Sequence, residues 1–259
     1  MQPTLNIALR AARIAGEQVA RAIERLDIIK SEQQSVADFI TETAAGAEKS
    51  VAYHLLKANP GHRIQGQHSG NIGAEEASDF EWFVNPIDGL TNFANALPSF
   101  ALTIVCKLRG KIEHAVILNP ITGEEFTASR GRGAQVNGKR IRVSDLKRLP
   151  NSLIGCHFSG QSDEARLEQQ LNGSRQLYLQ GAQLHVGGSS ALAMAYQAAG
   201  RTDGCWILGA YEWELEPGLL LLQEAGALVG DLNGGNKFTD SLVAANPKLF
   251  KQMLQTLAK

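Results

Sequence analysis

The chain has 259 residues, of which 44% are hydrophobic and 20% are charged, and its formal net charge is −1. This composition allows a sizeable buried core, while the nearly neutral charge excludes a chain-wide basic surface for nucleic acid and leaves only local patches open. No apolar run is long enough to span a membrane, and residues 1–4 lack the charged start of a signal peptide. We therefore expect a cytoplasmic protein that does not contact a membrane.

The cysteines and histidines form no disulfide or metal-binding pattern. Cys106, Cys156 and Cys205 lie far apart among apolar neighbours and form no C-x-x-C pair. Buried structural thiols are therefore expected. The six histidines form no H-x-x-x-H or H-E-x-x-H motif, so we expect surface or packing roles for them.

The first half of the chain predicts two helices followed by an antiparallel sheet. Apolar residues recur at three- and four-residue steps over 4–26, which is typical of an amphipathic helix, and a second helix is predicted over 43–58. From residue 82 onward, apolar runs joined by short turns indicate antiparallel strands. The predicted strands are 82–84, 100–105, 112–118 and 125–128, followed by a hairpin over 131–139 with an Asn-Gly turn.

The second half alternates strands with helices. Strands are predicted at 152–157 and 205–208, and helices at 164–173, 189–200 and 217–226. The last of these helices carries proline in its first turn, a common place for that residue. No linker, low-complexity tract or repeat interrupts the chain, so residues 1–259 are interpreted as a single domain.

The segment Asn85-Pro86-Ile87-Asp88-Gly89 follows a predicted strand and precedes polar residues that can begin a helix. Asp88 and nearby backbone N–H groups would then lie at an exposed strand end, which suits an anion or a cation that bridges one. Alternatively, Asn85, Asp88 and Asn92 satisfy only the hydrogen bonds of a turn. The residues alone leave both interpretations open.

Two further segments carry candidate functional residues. Glu212, Glu214 and Glu216 precede the predicted helix over 217–226, where acids favour the helix dipole. Glu214 also lies between large apolar residues, an unfavourable place for a charge that has neither ligand nor partner. Gly187-Gly188-Ser189 opens another predicted helix, and its N–H groups could hold a phosphate.

Together, and in this order, these segments resemble the inositol monophosphatase family, most closely its bacterial SuhB-type branch. The family motif Asp-Pro-(Ile/Leu)-Asp-Gly-Thr-x-Asn-Phe corresponds to residues 85–93, and Trp-Asp-x-x-(Ala/Gly)-Gly corresponds to residues 213–218. The match spans nearly the whole chain. Its further landmarks are Asp38-Phe39-Ile40-Thr41, Arg130-Gly131-Arg132-Gly133-Ala134, Asn137-Gly138, residues 198–204 and Glu224-Ala225-Gly226-Ala227.

The resemblance implies a layered αβαβα sandwich of the α+β class, usually a homodimer. It also implies hydrolysis of phosphate monoesters with Mg²⁺ held by carboxylates. The corresponding positions here are Asn85, Ile87, Asp88 and Glu214 for metal, Gln67 and Leu90 for catalysis, and Gly89, Gly188, Ser189 and Ile207 for substrate.

Most of these positions differ from the family pattern. Gln67 stands where the metal loop has its first glutamate, Asn85 where the central motif has an aspartate, and Leu90 where a threonine positions water. Three further changes are Glu214 and Ala44 in place of aspartates, and Ile207 in place of an acid that grips an inositol hydroxyl in some members. Only Asp88 and the Ile87 carbonyl are retained among the metal ligands, so weak or absent Mg²⁺ binding is expected.

The expected function is that of a pseudophosphatase acting as an interaction or regulatory protein. The SuhB-type branch is associated with transcription antitermination, so the expected partner is the transcription machinery, contacted through basic stretches such as 107–111 or 130–142. One alternative is a weak Mg²⁺-dependent phosphatase for inositol monophosphate or another small monoester, with Glu75 moving inward to replace a lost carboxylate. Another is a module that binds a small phosphate ester or anion at Gly188 and Ser189.

Overall fold

The computed structural model describes residues 2–32, 35–73, 78–158, 163–236, 238 and 241–258. By their internal contacts these residues fall into two compact units, Met1–Arg130 and Gly131–Lys259. Each unit contains a sheet and helices, as the predicted α+β class requires. The prediction of a single domain over 1–259 stays a prediction. Within the described residues, no helix is both long and apolar enough to cross a membrane.

The first unit combines helices with a mostly antiparallel sheet. Its described helices are α1 (Pro3–Ile23), α2 (Leu26–Ser31), α3 (Val36–Ala58) and α4 (Leu90–Ala94). Its described strands are β1 (Arg63–Gly66), β2 (Gly70–Gly73), β3 (Phe80–Asp88), β4 (Ala101–Leu108), β5 (Lys111–Asn119) and β6 (Glu124–Ser129). The strand order is β2-β1-β3-β4-β5-β6, and the neighbours are antiparallel except for the parallel pair of β1 and β3. The run from β3 to β6 confirms the predicted antiparallel pairing.

The core of the first unit lies between the sheet and the helices α1 and α3. Helix α1 turns small residues inward, and Ala8, Ala12 and Ala15 are each at most 1% exposed. At Gly16 an added Cβ would lie 2.6 Å from the Cδ2 atom of Leu118 on β5. The alanine-rich face predicted from the sequence thus brings the helix close to the sheet, where close packing leaves no room for larger side chains.

In the first unit, two helix boundaries differ from the prediction. The helix predicted over 4–26 ends at Ile23, and Leu26 begins the separate helix α2 after a turn. Because Leu26 is also buried, the apolar spacing continues through the break and does not reveal it. The helix predicted from residue 43 begins at Val36, where the Ser35 hydroxyl accepts a hydrogen bond from the N–H of Asp38 at 3.2 Å. Exposed residues in its first two turns hide this start.

The second unit contains a hairpin, a mixed sheet and helices. Its described helices are α5 (Glu164–Leu179), α6 (Ser190–Ala198), α7 (Glu212–Ala225) and α8 (Pro247–Leu257). Its described strands are β7 (Gly133–Val136), β8 (Lys139–Arg140), β9 (Leu153–Phe158), β10 (Gln183–Val186), β11 (Gly204–Leu208), β12 (Leu228–Gly230) and β13 (Ser241–Ala245). The order β10-β9-β11-β13-β12 has two parallel pairs followed by two antiparallel pairs.

The hairpin of β7 and β8 confirms the predicted Asn-Gly turn. Asn137 and Gly138 have φ angles of 48° and 76°, the left-handed values that a two-residue hairpin loop requires. Asparagine and glycine adopt such values at little cost, which is why this turn can be predicted from two residues.

The five-stranded sheet packs helices on both faces because successive side chains point to opposite sides. Trp206 and Val243 face α5 and α8. Ile207 points to the other face, where α6 contacts β9 and β11. Helices α6 and α7 lie close together at Gly218, where an added Cβ would be 2.3 Å from the Sδ atom of Met194.

The carboxylates of Glu224 and Asp203 hold segments of the second unit through backbone N–H groups. Glu224 accepts hydrogen bonds from the N–H groups of Gly131 and Gly133, each at 2.7 Å. Asp203 accepts one from the N–H of Leu153 at 2.8 Å. Such charge-assisted bonds are stronger than neutral ones, so these acids fix the chain around them.

The three cysteines are free and buried, which confirms the expectation of structural thiols. Burial raises the pKa of Cys106 to about 12, with a smaller contribution from the charge of Glu113. Burial also raises the pKa of Cys156 to about 12 and that of Cys205 well above its usual range. Because the thiolate is the nucleophile and the metal ligand, the raised pKa disfavours reaction at these buried thiols.

Candidate functional site

Strand β3 ends in a buried turn that carries the central motif. Asn85, Ile87 and Asp88 are each at most 5% exposed, and the pairing of β3 with β4 shifts register between Asn85 and Asp88. The side-chain oxygen Oδ1 of Asn85 accepts a hydrogen bond from the N–H of Ile87 at 3.2 Å. Gly89 follows with a φ of 104°, in the left-handed region that favours glycine. The backbone therefore turns sharply from β3 into α4.

Helix α4 begins at Leu90, which is 38% exposed and carries no hydroxyl at the position where the family pattern has threonine. The amide of Asn92 donates a hydrogen bond to the carbonyl of Ser99 at 2.5 Å. Asn85 therefore bonds a backbone group of the turn itself, as one of the two interpretations from the sequence expects, whereas Asn92 bonds a carbonyl beyond α4.

The loop after β1 lies beside this turn, and hydrogen bonds to the carboxylate of Glu48 fix its backbone. The N–H of Gln67 donates to the carbonyl of Val84 at 3.2 Å, which places the exposed Gln67 next to the central motif. Glu48 of α3 is fully buried, and its two carboxylate oxygens accept hydrogen bonds from the N–H groups of His68 and Ser69 at 2.8 and 2.7 Å. The loop conformation thus depends on a carboxylate from another element.

Sequence reasoning missed Glu48, although its position on the helix carried a signal. It follows the buried Ala44 and Ala47 and precedes the buried Val51, so the helical period turns it toward the core. A carboxylate at a core-facing position needs hydrogen-bond donors. Gly66 provides the space, because an added Cβ there would lie 2.5 Å from the Oε2 atom of Glu48.

The acids around residue 214 lie inside helix α7, not ahead of it as predicted. The helix begins at Glu212, and the N–H of Tyr211 donates to the Oε2 atom of Glu214 at 2.8 Å. Glu214 therefore helps to cap its own helix. The prediction used Pro217 as a start signal, but Pro217 lies within the helix, where its missing N–H removes a backbone hydrogen bond without ending the helix.

The remaining candidates of the second unit occupy structural positions. Ser189 is 1% exposed, and its hydroxyl accepts a hydrogen bond from the N–H of Leu192 at 3.1 Å, which caps α6 as predicted. Gly188 before it has a φ of 77°. Ile207 is fully buried in β11 and offers no polar group. A phosphate role for Gly188 and Ser189 stays a prediction.

The first unit therefore gathers Gln67, Asn85, Ile87, Asp88, Gly89 and Leu90 around one end of β3. Ala44, the further substituted position of this unit, is fully buried in α3. Gly188, Ser189, Ile207 and Glu214 belong to the second unit.

Among the described residues at this end of β3, the possible metal ligands do not fit a carboxylate-lined Mg²⁺ site. Asp88 supplies one carboxylate, whereas Asn85 supplies an amide oxygen that already accepts the N–H of Ile87. Mg²⁺ prefers anionic oxygens in tight octahedral geometry. At about 4 Å and an effective dielectric constant near 20, each missing carboxylate removes roughly 4 kcal/mol of attraction per unit of charge product, before desolvation returns part of it.

Among the described residues, no group of three or more His, Cys, Asp or Glu is arranged so that it could hold a metal ion. Glu75, the alternative carboxylate considered from the sequence, lies outside the described residues.

Comparisons with known proteins agree with the resemblance seen in the sequence. The model of the inositol monophosphatase family matches residues 1–259. The chain is 46% identical to Nus factor SuhB of Pseudomonas aeruginosa and 37% identical to Nus factor SuhB of Escherichia coli, in each case over 99% of this chain and 96% of the relative.

Solved structures of this family show the same fold. The suhB extragenic suppressor protein of Bartonella henselae matches with a TM-score of 0.88 and 30% identity, over 100% of this chain and 99% of that one. An inositol monophosphatase from Anabaena matches with a TM-score of 0.81 and 26% identity, over 98% and 94% of the two chains. The predicted fold class and family resemblance are confirmed.

The loop around Gln67 provides a test of the role of Glu48. Replacing Glu48 with glutamine puts an amide donor opposite one of two N–H groups, so we expect the free energy of unfolding to fall by about 1.5–3 kcal/mol. Urea denaturation measures this change. The matched control is Glu42→Gln on the exposed surface of α3, which should leave the unfolding midpoint almost unchanged. Equal midpoints for Glu48→Gln and the unmodified chain would contradict the assignment.

Proposed function

Because the chain belongs to the inositol monophosphatase family, we propose that it is a pseudophosphatase of this family with a role in transcription. The transcription role is suggested by the name Nus factor SuhB that its relatives carry. The observation that carries the non-catalytic part is the lost charge at the family's metal motif, where Asn85 supplies a neutral amide in place of a carboxylate.

Loss of catalysis follows from what hydrolysis of a phosphate monoester requires. Water must be activated and held in line with the phosphorus, and negative charge must be stabilised as the ester bond breaks. Gln67 and Asn85 are uncharged where the family pattern has carboxylates, and Leu90 has no hydroxyl to orient water. Loss of such positioning alone commonly lowers the rate by about 10²-fold.

The replacements preserve shape while removing charge. Glutamine for glutamate and asparagine for aspartate keep the side-chain volume and one hydrogen-bonding oxygen. The Oδ1 atom of Asn85 uses that oxygen to close the turn at Ile87. This pattern supports a site that is kept as scaffold.

The basic stretches 107–111 and 130–142, which are predicted to contact partners, contain arginines whose charge is partly neutralised by nearby acids. Arg109 forms an ion pair with Asp79 at 2.9 Å, and Arg130 lies 3.8 Å from Glu113. Exposed pairs of this kind are weak but reduce the local positive charge. The exposed Arg132 in the turn before β7 is the stronger candidate for a contact within these stretches.

The transcription role can be tested with purified components from Pseudomonas aeruginosa, the source of a 46% identical relative. We expect the immobilised chain to retain RNA polymerase or a Nus protein, and we expect that relative, added in excess, to displace the retained protein. The inositol monophosphatase of Anabaena is the control of matched fold. Failure to retain any component, or equal retention by the control, would contradict the role.

A weak Mg²⁺-dependent phosphatase remains the second candidate, because Asp88 and the Ile87 carbonyl are retained at the metal positions. A phosphatase of this kind would bind Mg²⁺ saturably and release phosphate from a monoester, whereas the proposed pseudophosphatase would do neither.

The two candidates are separated by titration calorimetry with Mg²⁺ and by phosphate release from several monoesters. For the unmodified chain we expect no saturable heat at millimolar Mg²⁺ and no turnover. The variant Gln67→Glu/Asn85→Asp/Leu90→Thr restores charge, so we expect its Mg²⁺ affinity to rise at least about tenfold. Adding Asp88→Asn should reverse this gain. Turnover by the unmodified chain that Asp88→Asn abolishes would show that the chain is an enzyme.

We further infer that the chain forms a homodimer, as the family resemblance suggests. Leu167, Leu171 and Tyr178 form an apolar stripe on one face of α5 and are 45%, 59% and 53% exposed. Strand β10 lies at the edge of its sheet. Exposed apolar stripes and open strand edges are typical of surfaces that a partner covers.

The dimer is tested by light scattering on the purified chain. We expect a dimeric mass for the unmodified chain and a monomeric mass for Leu171→Glu/Tyr178→Glu, because two charges would be buried without partners. Ile121→Glu, an exposed apolar position of the first unit, is the control and should stay dimeric. A monomeric mass for the unmodified chain would refute the dimer.

A further inference from the structure

A groove of about 470 Å³ lies on the second unit, between the segment before Leu149 and the outer face of α8. Four cations line it, together with the amides of Gln252 and Gln255. The cations are Lys147, Arg148, Lys248 and Lys251.

The two walls of the groove are tied together by side-chain amides. Asn246, at the start of α8, donates to the carbonyls of Ser144 and Leu146 at 3.1 and 2.6 Å. Gln252 donates to the carbonyl of Lys147 at 2.6 Å. The oxygen Oδ1 of Asn246 also caps α8 by accepting the N–H of Lys248 at 3.1 Å. The backbone of the groove is therefore fixed before any ligand binds.

The charge of the groove is not balanced locally. No acid lines it, and residues 241–259 contain no aspartate or glutamate. Within the part of the chain that the structure describes, none of the four cations forms an ion pair. Since the whole chain has a net charge of −1, this is a local excess that attracts anions.

The chemistry of the lining distinguishes nucleic acid from protein as the ligand. Its side chains are hydrogen-bond donors, and Pro247 is its one apolar residue. Protein interfaces are depleted in lysine and depend on aromatic or aliphatic anchors. Contacts to phosphate oxygens, by contrast, come from lysine, arginine and glutamine. The groove therefore suits a chain of phosphates.

We propose that this groove binds the phosphodiester backbone of a single-stranded nucleic acid. The groove is an open depression that one strand can enter, and positively charged grooves track such backbones. No aromatic side chain lines it, so bases are not stacked on it and binding does not depend on their sequence. This inference does not require the transcription role, because it concerns the isolated chain and the strand alone.

The test is fluorescence anisotropy of the purified chain with labelled single strands of about 12 nucleotides, as RNA and as DNA of the same sequence. For Lys248→Gln/Lys251→Gln we expect affinity to fall about tenfold at low salt. The slope of log K against log salt should decrease in magnitude by about 1.4, because each of the two lysines that neutralises a phosphate contributes about 0.7 to it. Comparison of the affinities for the RNA and the DNA strand shows which of the two nucleic acids the groove prefers.

The matched control is Lys30→Gln/Lys49→Gln, which removes two exposed lysines from the first unit and changes the net charge equally. It should bind within about twofold of the unmodified chain. Circular dichroism confirms that both variants fold.

Three results would overturn the proposal: no binding by the unmodified chain at low salt, an equal loss in the control, or an unchanged salt slope in the groove variant. Displacement of the strand by poly-glutamate as effective as by unlabelled strand would assign the groove to an acidic protein segment instead.

Discussion

Carboxylates that accept hydrogen bonds from backbone N–H groups fix the framework of each unit. Glu48 does this below the loop after β1, and Glu224 and Asp203 do it in the second unit. Removing a carboxylate from water without donors is costly, so each acid fixes the segment whose N–H groups it binds. The loop that carries Gln67 is therefore held by Glu48, whatever side chain stands at position 67 itself.

This arrangement separates the scaffold of the central motif from its chemistry. Asn85 closes the turn through a side-chain oxygen that an aspartate would also offer, and Gly89 provides the backbone angle that the turn needs. Neither contribution requires negative charge. An amide at position 85 therefore preserves the turn while it lowers the attraction for a divalent cation. The backbone conformation at this end of β3 therefore does not indicate whether the chain is catalytically active. The proposed function depends on the charge of the side chains there.

The sequence predicts those parts of the fold that are determined by neighbouring residues. The turn at Asn137 and Gly138, the cap at Ser189 and the strands from β3 to β6 need only local dihedral preferences and apolar runs. The position of the central motif follows from its pattern. The predicted start of α7 was wrong because, in sequence, a proline inside a helix resembles one at its beginning. The structure begins the helix at Glu212, where the N–H of Tyr211 donates to Glu214. Short strands such as β1 depend on partners elsewhere in the chain, and so does Glu48, whose donors lie about twenty residues away.

The contact at Gly218 bears on how families such as this one are recognised. Glycine is required there because helix α6 leaves no space for a Cβ beside Met194. Gly218 is also the last residue of the Trp-Asp-x-x-(Ala/Gly)-Gly pattern by which the family is identified. Part of that fingerprint thus records the packing of two helices. A lineage that lost hydrolysis would still keep this glycine. Family membership inferred from such a pattern therefore indicates a shared fold, and the chemistry has to be established separately.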